Sequence, residues 1–116
     1  LVSVTNSLVR LYQAADWFVH PTKYDACANT VLQSMSCGLP GLISEHDGAV
    51  DLVRDGTTGF LLRQPEDAER LAGTMRQAVE CGAGERAEMA ASARAAVEPL
   101  TWDRHVHLWE RLLERL

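Results

Sequence analysis

Apolar residues along this chain fall into short blocks separated by polar, glycine-bearing turns. Residues 3–15 carry Leu8, Leu11 and Tyr12 in a weak helical pattern, with Thr5, Asn6 or Ser7 available to cap it. Trp17-Phe18-Val19 is a compact apolar run closed by Pro21, which reads as a buried strand. From 28 to 35 the apolar positions are Ala28, Val31, Leu32 and Met35, one face of a helix. Gly38 can take the left-handed position that ends it, and Pro40 prevents continuation. Residues 39–44 (LPGLIS) are apolar without alternation, as expected of a strand covered on both faces.

The second half continues the same alternation. Glu45-His46-Asp47-Gly48 reads as a turn, residues 49–54 as a helical turn or two, and Phe60-Leu61-Leu62 as a third strand. Gln64-Pro65-Glu66-Asp67 opens a helix to about Val79, with acids at its positive end and Ala68, Leu71, Ala72, Met75 and Val79 expected inside. Gly82 and Gly84 interrupt it, and an alanine-rich helix follows over 85–97 with Met89 and Ala93 as its contact side. Thr101 caps a last helix, on which Trp102, Val106, Trp109, Leu113 and Leu116 form a stripe expected to pack on its own domain or on a neighbouring half. Strands alternating with helices predict an α/β layered fold, with a parallel sheet flanked by helices.

Composition narrows the function classes more than the fold. The 116 residues suit one domain with a modest core, 47% apolar and 23% charged. A net charge of −5 argues against a broad nucleic-acid-binding face. Cys27, Cys37 and Cys81 lack metal-ligand spacing and suit free thiols in a reducing compartment; Cys27 and Cys37 read as small fillers. No apolar run reaches the roughly 18 residues of a membrane span. The absence of an initiating Met at Leu1, and the visibility of only three strands, lead us to expect further chain upstream.

The candidate chemistry lies between His20 and Pro40, HPTKYDACANTVLQSMSCGLP. In a parallel sheet, ligands gather at the carboxyl ends of strands, where this polar stretch falls. Helix N-termini offer unpaired N–H groups to anions, and the residues entering this helix (Ala26, Cys27, Ala28) are small enough for close approach. Asp25 could be a helix cap or a ligand-binding carboxylate. His20 before Pro21 reads as structural rather than as a general base, and His46 as a solvated loop residue. His105 and His107 have no partner at ligand spacing, so no metal site is expected. Arg104, Arg111 and Arg115 could touch acidic lipid, but Asp103, Glu110 and Glu114 offset them.

The stretch LYQAADWFVHPTKYDACANTVLQSMSCGLPGLIS, continued by DGAVDLVRDGTTGFLL, resembles the carboxyl-terminal, donor-binding domain of retaining GT-B glycosyltransferases. The likeness is closest to the group 1 family that includes lipopolysaccharide-core glucosyltransferases. Its mark is an acid, seven residues and a Glu, followed by a Gly-Leu-Pro turn; here the frame is Asp25-x7-Gln33, then Gly38-Leu39-Pro40.

The resemblance implies transfer of a sugar from a nucleotide-sugar, such as a UDP- or GDP-hexose, to a glycan, lipid or small-molecule acceptor. It implies retention at the anomeric carbon, no metal or other cofactor, and a cytoplasmic enzyme with room for peripheral membrane contact. Asp25 takes the place of the acid beside the donor hexose. The backbone of Ala26, Cys27, Ala28, Asn29 and Thr30 takes the place of the sugar- and diphosphate-binding turn. Gln33 stands where a Glu carboxylate receives the ribose hydroxyls. Residues 1–116 then form part of the donor domain, without its first strands, its Arg/Lys pair or the acceptor-binding N-terminal domain. The departure at Gln33 keeps a rival open, a non-catalytic Rossmann-like module that binds nucleotide or a partner and has lost transfer.

Overall fold

The computed structural model describes residues 7–116. Helix α1 (Leu8–Ala14) leads into strand β1 (Phe18–His20), helix α2 (Asn29–Ser36) and strand β2 (Gly41–Ser44). A 3-10 helix (Gly48–Leu52) then precedes strand β3 (Gly59–Leu62) and helices α3 (Ala68–Glu80), α4 (Ala83–Val97) and α5 (Trp102–Leu113). The strands form one parallel sheet in the order β1-β2-β3, with Phe18 opposite Gly41 and Leu42 opposite Phe60. This is the expected α/β layering. Ser7 holds the N-cap position of α1, while the alternative caps Thr5 and Asn6 lie outside the described residues.

All four residues of β2 are buried, which is why its sequence does not alternate. Successive strand residues point to opposite faces, so Leu42 and Ile43 enter different halves of the core. Ile43 packs with Ala28, just before α2, with Val31 and Met35 from α2 and with Ala93 and Val97 from α4. Leu42 joins Phe60, Leu62, Ala78 and Met89 on the other face. Helix α4 therefore serves both halves, and Asp16 ties it to the approach of β1 through a 3.1 Å ion pair with Arg86.

The end of α2 shows how local sequence sets the path of the chain. Gly38 adopts φ 74°, its N–H donates to the Met35 carbonyl at 2.9 Å, and Leu39 N–H donates to Ser34 at 2.9 Å. That pair of bonds closes the helix and aims the chain into β2. Ser34, unremarked in the sequence, is fully buried and satisfies its hydroxyl on the Val31 carbonyl at 2.8 Å.

Three expectations need correction. Helix α3 does not bury Ala68, Met75 or Val79; Met75 is 43% and Val79 80% exposed, and the contact is made by Ala78 with Leu71 beside it. The helix approaches the core through Ala78, alongside Met89 and the partly buried Leu71, and Met75 and Val79 stay exposed. Gly84 does not break a helix but lies in the first turn of α4, whose N-cap is Gly82. Helix α5 has its expected Thr101 cap, with Oγ1 accepting from Arg104 N–H at 3.2 Å, yet it buries no residue at all. Its stripe stays largely exposed, Trp102 at 82%. Among the described residues no helix is long and apolar enough to cross a membrane.

Candidate functional site

Two polar turns leave the carboxyl ends of β1 and β2 and run side by side. Asp25 N–H donates to the His46 carbonyl at 3.3 Å, and Gly48 N–H donates to the Asp25 carbonyl at 2.9 Å. These bonds extend the parallel pairing beyond the strands as a bridge between Asp25 and Asp47. The turns touch so closely that a Cβ on Gly48 would run into the carbonyl oxygen of Ala26. Glycine is required here by the approach of one backbone to another.

Asp47 is the hidden centre of this junction. It is 1% exposed, and its Oδ1 accepts from Ala49 N–H at 2.7 Å and from Ala28 N–H at 3.3 Å. One carboxylate oxygen thereby caps the 3-10 helix and secures the residue before α2. The other oxygen, Oδ2, faces His20 Nε2 at 3.2 Å. Neither atom has a hydrogen-bond partner, and the two attract as an ion pair when His20 is protonated. His20 keeps a quarter of its side chain exposed and lies flat against Phe18, with ring centroids 5.9 Å apart. The sequence reading of His20 as structural agrees with this placement, but its partner was missed. Asp47 preceding a helical turn carried an N-cap signal; its burial had no signal in the sequence.

Asp25 Oδ1 accepts from Cys27 N–H at 3.1 Å, leaving its second oxygen without a hydrogen bond to the protein. Of the five backbone N–H groups from Ala26 to Thr30, two are thus already committed, Cys27 to Asp25 and Ala28 to Asp47. Intrahelical bonding begins with Val31, which donates to Ala28 at 3.0 Å. The N–H groups of Ala26, Asn29 and Thr30 meet no acceptor among the described residues. Asn29 and Thr30 open α2, so they present the positive end of its dipole.

Gln33 lies one turn further along α2 and is exposed; its Oε1 receives the Tyr12 hydroxyl at 3.5 Å. Burial first, and then the Cys37 thiol, push the Tyr12 phenol above its ordinary range. Cys27 is exposed rather than a filler, and partial burial followed by the charges of Asp47 and Asp25 raises its thiol. All three cysteines are free. His46 is exposed and contributes its backbone, while Lys23 and Tyr24 are also exposed. A cleft of about 390 Å³, lined by Asn29, Leu32, Leu100, Trp102, His105 and Leu108, opens where α2 begins and α5 passes.

One group of side chains is arranged so that it could hold a cation. Ligand atoms of His20, Asp25 and Asp47 all lie within 4.8 Å of one another. His20 and Asp47, 3.2 Å apart, balance part of that charge between them when His20 is protonated. His105 and His107 stand apart on α5, the first between Trp102 and Trp109 and the second 3.0 Å from Glu110.

The chain is similar to proteins whose structures and sequences are known. It is 35% identical to a sucrose synthase of Acidithiobacillus caldus over 102 residues, which is 83% of this chain and 12% of that protein. HepE of Anabaena, solved in complex with UDP, superposes with a TM-score of 0.77 at 25% identity, over 92% of this chain and 29% of that one. WaaG, a glycosyltransferase involved in lipopolysaccharide biosynthesis, gives a TM-score of 0.72 at 27% identity, over 86% of this chain and 26% of that one. The chain therefore spans well under a third of the length of each of these relatives. The sequence profile named glycosyl transferases group 1 matches residues 2–96, which include both turns and all three strands. The match covers most of the chain, and the chain belongs to the glycosyl transferases group 1 family.

Proposed function

We propose that this segment is the donor-binding part of a retaining, metal-independent glycosyltransferase that moves a sugar from a nucleotide-sugar to an acceptor. The observation that carries the reading is the pair of unpartnered N–H groups, Asn29 and Thr30, at the start of α2 beside the half-free carboxylate of Asp25. Two N–H groups at a helix N-terminus suit the diphosphate of the donor. The second oxygen of Asp25 accepts hydroxyls of the donor hexose. Ala26 N–H is a further donor to the same ligand, and Cys27 and Ala28 form the wall that their internal bonds hold still. Gln33, on the exposed side of α2, meets the ribose.

Negative charge develops on the diphosphate as the glycosidic bond to it breaks. Fixed N–H dipoles aimed at that charge lower the barrier without rearranging during the step. In this reading a metal is not needed for the role, because the helix terminus supplies the positive potential. The acceptor and the rest of the nucleotide pocket belong to parts of the enzyme beyond this segment, whose working place is the cytoplasm. The complex of HepE with UDP supports a nucleoside diphosphate as the shared ligand element.

The test is calorimetric titration of the longest natural chain containing this segment with UDP, GDP and ADP forms of glucose and mannose. One donor is expected to bind with a dissociation constant on the order of micromolar, about −8 kcal/mol. A folded protein that binds none of them would overturn the reading in favour of a non-catalytic module.

A further inference from the structure

We infer that His20 and Asp47 are a positioning pair whose charge balance sets how well the start of α2 accepts an anion. This rests on the donor-site reading above and adds to it two residues that touch no substrate. Asp47 is a buried carboxylate bonded to Ala28 N–H, and Asn29, the next residue, presents an N–H free for the ligand. The negative charge that orders the turn therefore sits one residue from the groups assigned to the diphosphate. Asp25 adds a second carboxylate, close enough that its oxygen, that of Asp47 and the His20 nitrogen fall within 4.8 Å.

Left alone, this arrangement opposes its own ligand. A buried carboxylate is little screened by solvent, and like charges in such surroundings repel strongly. Between residues 20 and 50 the sequence contains one lysine, Lys23, and no arginine, and Lys23 is exposed. His20 is the basic group in contact with Asp47, at 3.2 Å, and its stacking on Phe18 fixes the ring there. Asp47 thus supplies geometry through Oδ1, while His20, in its protonated form, cancels through Oδ2 the charge that this geometry brings with it. The two oxygens have separable roles, and that makes the proposal testable.

The probe is UDP, or GDP if UDP does not bind, titrated into the longest natural chain carrying His20→Ala, Asp47→Asn, or both. Asparagine keeps the Oδ1 acceptor for Ala28 and Ala49 but removes the charge. His20→Ala alone is expected to weaken nucleotide binding about tenfold, the scale of one unbalanced charge in a partly shielded site. The double variant is expected to return to within about threefold of wild type, a conservative margin for contacts that do not add simply. Thermal unfolding of each variant, run beside the titrations, separates loss of fold from loss of binding. If His20→Ala does not fold, the Asp47→Asn background still decides, because there the loss of His20 should cost no affinity.

A purely structural role predicts the opposite order, with the double variant binding no better than the worse single one, and that result overturns the proposal. So does a wild type that binds nucleotide while His20→Ala binds it equally well. A wild type that binds neither nucleotide is a different failure: it removes the donor site itself, and the charge-balance proposal falls with it.

Discussion

Gly48→Ala is the substitution that asks most of this site, because it adds one methyl group at the place where the two turns touch. The new Cβ would meet the Ala26 carbonyl oxygen, a backbone atom that cannot rotate away. Relief requires the turns to part, and three hydrogen bonds cross that seam. They are Gly48 N–H to Asp25 at 2.9 Å, Asp25 N–H to His46 at 3.3 Å and Ala28 N–H to the Asp47 carboxylate at 3.3 Å. At about 0.5–1.5 kcal/mol each, losing two of them costs about 1–3 kcal/mol. With a urea slope of about 2 kcal/mol per molar, the unfolding midpoint should fall by about 0.5–1.5 M.

A control of opposite sign is available in the same chain. A Cβ at Gly73, within α3, meets nothing within 4 Å, so Gly73→Ala should gain close to 1 kcal/mol of helix propensity. Urea unfolding followed by circular dichroism reads both, and nucleotide titration of the folded Gly48→Ala protein reads the displaced turn. A Gly48→Ala midpoint equal to wild type, with unchanged nucleotide affinity, would refute the claim that the close approach of the two turns depends on the missing side chain.

Further outcomes follow from the same geometry. Gln33→Glu keeps one oxygen for the Tyr12 hydroxyl and offers a second, charged oxygen to the ribose, so donor affinity should rise about five- to tenfold, the lower part of the range for a charge-assisted bond at an exposed position; titration that shows no gain would remove Gln33 from the site. Asp25→Asn should abolish measurable transfer by the parent while leaving its unfolding midpoint within about 1 kcal/mol of wild type, since asparagine preserves the acceptor for Cys27 N–H. Cys27 is held protonated by partial burial and two carboxylates, so its alkylation by iodoacetamide should be slower at pH 8 than that of a free thiol and should accelerate only at higher pH; a fast reaction at neutral pH would contradict that environment. Chelation with EDTA should leave donor binding unchanged, and a loss restored by a divalent cation would instead give the group formed by His20, Asp25 and Asp47 a ligand role.

Much of the framework was readable because local signals and tertiary demands agree in this chain. β2 reads as a strand from its unbroken apolar run, and it is buried along its whole length. Gly38 reads as a helix stop and takes the left-handed conformation. Met89 and Ala93 read as the contact side of an alanine-rich helix and are 2% and 0% exposed. What escaped depended on which surfaces meet. Periodicity places Leu71, Met75 and Val79 along one side of α3, but only Leu71 reaches the core, beside Ala78, while Met75 and Val79 stay exposed. The importance of Asp47 lay further out of reach, since a polar turn in the sequence gives no hint that a second turn covers it. The division of the five N–H groups from Ala26 to Thr30 into committed and free ones likewise required the fold.

The bare stripe on α5 bears on how this protein must be handled at the bench. Trp109, Leu112 and Leu113 on α5, and Leu116 just beyond it, are each at least half exposed. Apolar surface of that extent seeks cover, and in a dilute tube the nearest cover is another molecule. Residues 1–116 produced by themselves should elute from a sizing column earlier as the load increases, whereas a version ending at Leu100 should elute at one position. Choosing where to cut this gene for expression is therefore a decision about one amphipathic helix more than about the sheet.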